Sequence, residues 1–188
     1  MPTNRADGPD PTEVADLTAR AVQRDPEAFA GLYDRYVDGI YRFFVFRVRN
    51  PTDAEDLTEQ VFLRAWQAIE TYRHQGRPFS AWLYSIARNL VIDHFRAARN
   101  NVELSEDALA PAGFAEPAVI LEQTIALDRF RTALQELSAD QQQVIVLRFI
   151  EGLGYEEIAS AIGKSPGTIR VIQHRALAKL RQILAEKE

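Results

Sequence analysis

The sequence contains no cysteine, which excludes disulfide bonds, thiolate metal ligands and cysteine nucleophiles. No apolar run approaches the roughly 18 residues that a membrane-spanning helix needs. The first residues, MPTNRADGPDPTE, lack the apolar stretch of a signal peptide. These absences predict a cytoplasmic protein that does not insert into a membrane.

The residue constellations of enzyme sites are lacking too. The three histidines, His74, His94 and His174, are far apart and have no cysteine or carboxylate spacing typical of a metal site. There is no phosphate-binding glycine loop and no G-x-S-x-G nucleophile motif. We therefore expect a protein that is not an enzyme, with no catalytic residue and no metal.

Helical periodicity runs through most of the chain, and no segment alternates convincingly like a strand. Residues 26–49 place apolar side chains at three- and four-residue spacing, and residues 54–69 and 79–99 repeat the pattern. Thr52 and Glu55 have the spacing of a capping box at the start of the second of these helices. The pattern predicts an all-α fold.

A change of composition near residue 100 divides the chain. The stretch NNVELSEDALAPAGFAEP has two prolines, a glycine and four acids, which is typical of a linker. We predict two small helical domains joined by a flexible acidic linker. The predicted boundaries are a flexible N-terminal tail over residues 1–20, a first domain over 21–99, the linker over 100–120 and a second domain over 121–188.

Charge is segregated along the chain, although the formal net charge is −5. Residues 99–163 hold 11 acids and 4 bases, whereas residues 164–188 hold 2 acids and 6 bases. Residues 41–98 are slightly basic, with 6 acids and 8 bases. This asymmetry predicts at least one surface that faces a polyanion.

The basic C-terminal segment has the pattern of a helix-turn-helix. A short apolar helix at 155–162 ends at Gly163, where the turn needs a positive φ, and Ser165 and Pro166 supply an N-cap and a first helical residue. The next helix, 166–185, has an apolar back and a basic front, as a DNA recognition helix does. The residues expected to contact DNA are Lys164, Ser165, Thr168, Arg170, Val171, His174, Arg175 and Lys179.

An ordinary helical hairpin with a solvated basic face is the alternative for this segment. Residues 164–181, however, include five cations and no acid. Cations beside phosphates release counterions and so supply most of the affinity for DNA. The charge pattern therefore favours DNA binding.

Three segments, in this order, resemble the bacterial extracytoplasmic-function (ECF) sigma factors, which are small two-domain specificity subunits of RNA polymerase. They are DAEDLTEQVFLRAW (53–66), FSAWLYSIARNLVIDHFR (79–96) and LSADQQQVIVLRFIEGLGYEEIASAIGKSPGTIRVIQHRALAKLR (137–181). The resemblance covers about residues 24–184. It implies a transcription initiation factor that binds core polymerase, directs it to promoters through their −35 and −10 elements, and helps to open the DNA. Because this family opens promoters by binding energy, the resemblance also implies that no cofactor is needed.

The resemblance also implies roles for the two domains. The second would correspond to region 4, which binds the −35 element and the β-flap, and the first to region 2, which captures and opens the −10 element. The residues expected at the −10 element are Arg73, His74, Arg77, Arg88, Asn89 and Arg96. Contact with the β′ clamp helices is expected from Asp56, Glu59, Gln60 and Arg64. We expect Phe79, Trp82 and Trp66 to pack in the core.

An anti-sigma protein that covers the polymerase-binding faces is a further partner that the resemblance implies. Two alternatives to a sigma factor remain open from the residues alone. One is an autonomous helix-turn-helix regulator with residues 20–99 as its effector or dimerisation domain, and the other is an interaction module that only sequesters a partner. A sigma factor should bind promoters poorly by itself and core polymerase tightly, whereas a regulator should do the reverse.

Overall fold

Eight α-helices build the protein in a computed structural model that describes residues 11–48, 50–73, 76–101 and 119–186. The described residues include no β-strand, and the all-α prediction is confirmed. None of these helices is both long enough and apolar enough to cross a lipid bilayer. The helices are α1 (Pro11–Val22), α2 (Pro26–Val45), α3 (Pro51–Ala68), α4 (Phe79–Asn101), α5 (Val119–Gln135), α6 (Ala139–Ile145), α7 (Tyr155–Ile162) and α8 (Pro166–Ala185). A 3₁₀ turn (Ile69–Thr71) follows α3 and a π-helical turn (Val146–Ile150) follows α6.

Helices α1 to α4 form the first bundle, in which α2 packs against α1, α3 and α4. Its interior is filled by fully buried side chains, among them Leu32, Ile40, Phe43, Phe44 and Leu83. Burying a side chain of this size contributes about 1.5–3 kcal/mol relative to leaving it in water. The three- and four-residue spacing of these apolar positions is therefore what brings the helices together.

Two sequence predictions about this bundle are wrong. The flexible tail predicted for residues 1–20 is wrong for residues 11–20, which are helical because Val14 and Leu17 pack against the core and Thr18 is only 6% exposed, while residues 1–10 lie outside the described residues. The capping box predicted at Thr52 is replaced by Asn50, whose side chain accepts a hydrogen bond of 3.0 Å from the Thr52 backbone N–H. Pro51 at the first helical position starts the helix earlier than that pattern implied.

Helices α5 to α8 form the second unit, and its turns follow the predicted chemistry. Ser138 caps α6 and forms a capping box with Gln141. Gly163 ends α7 with a φ of 75°, a left-handed conformation that suits glycine. The Ser165 side chain accepts a hydrogen bond of 3.2 Å from the Thr168 N–H and caps α8, with Pro166 in the first turn.

The two helical units pack directly on each other. Helix α4 contacts both α3 of its own bundle and α7 of the second unit, and α2 contacts the π-helical turn. The buried side chains of both units form one continuous apolar cluster. The predicted linker lies outside the described residues except at its two ends, where α4 extends to Asn101 and α5 begins at Val119.

Candidate nucleic-acid and polymerase interfaces

Helix α8 presents the predicted DNA contacts on its exposed side. Thr168, Arg170, His174 and Arg175 are exposed, and Val171 is 49% exposed although it is apolar. Ile169, Ala176, Leu180 and Ile183 face the core. The division between an apolar and a polar face is that of a helix that can enter a DNA groove.

Tyr155, at the start of α7, supports the arginine of this face. The Arg170 guanidinium carbon lies 4.8 Å from the centre of the Tyr155 ring, and that of Arg148 lies 4.7 Å from it. Arg148 is fixed in turn by a hydrogen bond of 2.8 Å to the Leu153 carbonyl. This role of Tyr155 is not evident from the sequence, because its ring belongs to a different helix from the cation that it holds.

Four of the predicted DNA contacts already have hydrogen-bond or ion-pair partners within the described residues, and one of them is Thr168, whose hydroxyl lies 2.8 Å from that of Ser165. Lys164 forms an ion pair of 3.2 Å with Asp140, and Lys179 donates a hydrogen bond to the Glu136 carbonyl. The Ser165 hydroxyl is engaged in capping α8. Arg170, His174 and Arg175 are consequently the cationic or polar side chains best placed to reach base edges.

A hollow of about 410 Å³ lies where the loop after α3 meets the start of α4, and it is lined by Thr71, Tyr72, Arg73, Arg77 and Trp82. The Trp82 ring is 5.3 Å from that of Tyr72. Arg77 donates a hydrogen bond of 3.3 Å to the Ala81 carbonyl, and its backbone carbonyl accepts one of 2.7 Å from the Tyr72 hydroxyl. Arginine and aromatic surfaces around one hollow are suited to an unstacked base beside its phosphate.

The remaining predicted −10 contacts do not line this hollow. His74 lies outside the described residues. Asn89 and Arg96 are exposed further along α4, where Arg96 is 3.7 Å from Asp93, and Arg88 is half-buried. The rise of α4 separates Trp82 from Arg96 by about 20 Å, so the predicted set forms a track rather than a single site.

Arg47 is a cation of this region that the sequence analysis missed. It is only 6% exposed, and burial, together with the nearby Arg88, lowers the pKa of Arg47 to about 10. One of its N–H groups donates a hydrogen bond of 3.0 Å to the Ala139 carbonyl of the second unit. Within the described residues, Nε of Arg47 and Nε of Arg88 are both buried without a hydrogen-bond partner.

The four residues predicted to bind core polymerase share one exposed side of α3. Asp56, Glu59, Gln60 and Arg64 are all exposed, and Arg64 is 3.8 Å from Asp93 of α4. Leu63 lies among them and is 57% exposed. Helical spacing places Leu63 opposite the buried stripe of Val61 and Ala65, so its position on the polar face is a signal that the sequence itself carries.

The aromatic residues expected in the core differ in how deeply they are buried. Phe79 is 3% exposed and packs against Tyr36 and Tyr72, which confirms the expectation for that ring. Trp66 and Trp82 are only partly buried, and both pack against the core cluster. Trp66 packs against Phe29, and the Arg24 guanidinium lies 5.2 Å from the centre of its ring.

No group of histidine and carboxylate side chains in the described part of the chain could hold a metal ion. The exposed features of the molecule are instead a basic helix face, an arginine-lined hollow and a mixed polar and apolar stripe on α3. Exposed cationic, aromatic and mixed apolar surfaces of this kind are typical of contacts with macromolecules.

Comparison with known families matches both helical units. Residues 32–101 match Sigma-70 region 2, and residues 133–182 match Sigma-70 region 4. The chain is 37% identical over 179 residues to the ECF RNA polymerase sigma factor BldN of Streptomyces coelicolor, a match that covers 94% of this chain and 68% of BldN. It is 33% identical over 171 residues to SigD of Mycobacterium tuberculosis, covering 88% of this chain and 81% of SigD.

Solved structures agree with these matches. CnrH in complex with the cytosolic domain of CnrY is 26% identical to this chain, with a TM-score of 0.72 over 94% of this chain and 99% of CnrH. The sigma factor RpoE, in complex with the anti-sigma factor NepR from Bartonella quintana, is 27% identical, with a TM-score of 0.70 over 84% of this chain and 96% of RpoE. The chain belongs to the ECF RNA polymerase sigma factors, and it is a transcription initiation factor that directs RNA polymerase to promoters, not an enzyme.

Proposed function

We propose that α8 binds the −35 element in the major groove. The observation that carries this assignment is the exposed face of α8 with Arg170, His174 and Arg175, in a segment (164–181) that contains five cations and no acidic residue. An arginine can form two hydrogen bonds with a guanine edge, and the other cations add affinity through the phosphates. The predicted contacts with intrachain partners, Lys164 and Lys179, would then exchange those partners for phosphates.

The −10 element is assigned to the hollow at Trp82 and to the polar track along α4. Opening a duplex requires that an unstacked base be held, and Arg73, Arg77 and Trp82 offer a cationic and aromatic surface for it. Asn89 and Arg96 lie further along the same helix and are exposed to the strand that would follow.

The exposed side of α3 is assigned to the β′ clamp helices of core polymerase. An apolar residue ringed by polar ones is typical of the centre of a protein interface, and Leu63 is 57% exposed among Asp56, Glu59, Gln60 and Arg64. The second unit would add contact with the β-flap. A subunit with these partners would work in the cytoplasm, where polymerase and chromosome are.

An anti-sigma protein is the regulatory partner that we propose. The structural matches with TM-scores of 0.72 and 0.70 cover 94% and 84% of this chain, and each of those two proteins was solved with a protein partner. Capture of a protein other than polymerase subunits from the source cell would support this proposal. Recovery of polymerase subunits alone, from both resting and stressed cells, would count against it.

Transcription in vitro tests the assignment of the −35 element. The purified chain would be mixed with bacterial core polymerase and the promoter region of its own gene, with core polymerase alone as the reference. Arg175→Glu should abolish the transcript by reversing a charge at the groove. Arg129→Glu, the same reversal at an exposed position of α5, is the matched control and should retain it.

The outcomes separate the proposed function from its rivals. A transcript that requires the chain and is lost only in Arg175→Glu supports the assignment. Equal loss in both variants would point to a general charge effect and contradict a specific role of α8. Tight binding to the promoter without core polymerase would favour an autonomous regulator.

A further inference from the structure

A buried carboxylate joins the two helical units. Glu151 follows the π-helical turn, and its side chain is 3% exposed. Its Oε1 accepts a hydrogen bond of 3.1 Å from Nε of Arg42, and its Oε2 accepts bonds of 3.0 Å from Arg42 and 3.1 Å from the Tyr84 hydroxyl. Arg42 and Tyr84 belong to α2 and α4, so one side chain of the second unit is held by two helices of the first.

The surroundings of Glu151 fit this contact closely. Burial, together with the Glu151 carboxylate, raises the pKa of Tyr84 well above its ordinary value, so the phenol stays a donor. Gly39 of α2 leaves the space that the carboxylate fills. A Cβ at this position would be 2.8 Å from Oε2 of Glu151 and 2.9 Å from the Tyr84 hydroxyl oxygen, closer than such atoms approach in proteins.

Further contacts extend the interface on both sides of Glu151. Ser80 donates a hydrogen bond of 2.8 Å to Glu157, and Arg47 donates one to the Ala139 carbonyl. The Phe46 ring is 6.1 Å from that of Phe130. The ion pair is buried at its Glu151 end, whereas the Arg42 side chain is 39% exposed. A carboxylate taken out of water depends on such partners, because an uncompensated buried charge is strongly destabilising.

The packed arrangement cannot engage both promoter elements together. Helix α7, the first helix of the helix-turn-helix, lies against α4, to which the −10 element is assigned. Elements named for positions −35 and −10 lie about 25 base pairs apart, which is about 85 Å along a duplex. The two units must therefore separate to bind both elements. An extended chain of 17 residues (102–118) spans at most about 60 Å, which together with the width of the two bound units is compatible with that distance.

Packing also hides cations that the open subunit would use. Arg88 is half-buried, and Arg47 beside it is buried against the backbone of α6 with its Nε unpartnered among the described residues. Two neighbouring guanidinium groups in a partly dry interface are unfavourable unless an anion joins them. Separation of the units would expose both to a phosphate.

We propose that Glu151 is an autoinhibitory latch: it locks into the Arg42, Tyr84 and Gly39 site, holds the free subunit closed, and must be released before the subunit can engage a promoter. The closed state itself follows from the contacts above. Its consequence for transcription rests on the function proposed in the preceding subsection.

Distances between the units in the full-length free chain test the closed state. Because the chain has no cysteine, Gln67→Cys and Ala178→Cys provide two unique exposed labelling positions, one on each unit. Pulsed electron spin resonance on the labelled chain should give one short distance. Glu151→Gln should move a large share of the molecules to longer distances.

Two further variants make this test specific. Gly39→Ala keeps every charge but fills the space that Glu151 needs, while alanine is intrinsically favoured over glycine within a helix. It should lengthen the distance without loss of helical circular dichroism. Glu156→Gln neutralises an exposed neighbouring acid and should leave the distance unchanged.

The functional arm uses transcription at a limiting amount of the subunit. If nine molecules in ten are closed, opening should raise the apparent affinity for core polymerase and promoter by about tenfold. Glu151→Gln and Gly39→Ala should therefore be more active than Glu156→Gln.

Two results would overturn the latch: long distances already in the unsubstituted chain, or short distances retained in both Glu151→Gln and Gly39→Ala. Longer distances without any gain in transcription would overturn its inhibitory role. Because the distance measurement needs neither polymerase nor DNA, its outcome is independent of the proposed function.

Discussion

The Arg170 guanidinium lies over the Tyr155 ring, with its central carbon 4.8 Å from the ring centre. One residue is on the recognition helix α8 and the other begins α7, so the contact bridges the two helices of the helix-turn-helix. An arginine supported in this way loses less freedom when it binds a base edge. The direction of Arg170 is thus set by packing as well as by the helix that bears it.

Tyr155→Ala should weaken binding of the polymerase complex to −35 DNA by about fivefold, because an exposed cation–π contact contributes about 1 kcal/mol. Tyr155→Phe keeps the ring and should bind like the unsubstituted protein. Fluorescence anisotropy of a labelled −35 fragment, with core polymerase present, would compare them. An equal loss in both variants would argue that the hydroxyl, rather than the ring face, is what matters.

Arg77→Ala should impair promoter opening rather than initial binding, since Arg77 lines the hollow assigned to an unstacked base. Transcription from a duplex template should fall by about tenfold, as expected for losing about 1–3 kcal/mol of base contact. On a template that is already unpaired over the −10 element, Arg77→Ala should regain most of the lost transcription. If both templates lose the same activity, the hollow has no part in opening.

Leu63→Asp should reduce the affinity for core polymerase by about tenfold, as truncation of an interface centre does. Because Leu63 is 57% exposed, the melting temperature should change little. Leu184→Asp, the same change at a residue of α8 that is 37% exposed, is the control and should bind normally. Native gel shift of core polymerase would measure both variants. Normal binding by Leu63→Asp would remove α3 from the polymerase interface.

Gly163→Ala and Gly167→Ala should change stability in opposite directions although both add one methyl group. Gly163 has a φ of 75°, so alanine there should cost about 1 kcal/mol. Gly167 lies in the first turn of α8, where the nearest atom to an added Cβ is 3.9 Å away, and alanine should stabilise by about 0.4–1 kcal/mol. Urea unfolding of the two variants gives the sign of each change in the free energy of unfolding. Changes of the same sign would contradict the turn geometry.

Local chemistry made much of the second unit predictable from the sequence. The N-cap at Ser165, the proline after it and the left-handed glycine at 163 each act within four residues, and each is found where the pattern placed it. The same reasoning failed at Thr52 because two caps competed. Asn50, directly before Pro51, is the stronger helix-start signal, and it lies just before the Thr52–Glu55 capping-box motif.

Features formed by distant residues could not be predicted in this way. Arg42 and Glu151 are 109 positions apart in sequence, and nothing local marks either as a partner of the other. Arg47 was likewise one cation among many until the fold buried it beside Arg88. Leu63, by contrast, could have been recognised from the sequence, because helical spacing places it opposite the buried stripe of Ala54, Val61 and Ala65. The surfaces assigned to DNA and polymerase came from the family pattern, and their residue-level roles stay predictions.

The covalent connection through residues 102–118 changes how competition for this subunit should work. Because both units belong to one chain, each meets the other at an effective concentration on the order of millimolar, whatever the amount of protein in the cell. Closure therefore lowers the apparent affinity for polymerase by a constant factor, whereas capture by core polymerase depends on the concentration of free polymerase. The subunit should respond to the supply of unoccupied polymerase, and a modest contact at Glu151 is enough to set the threshold.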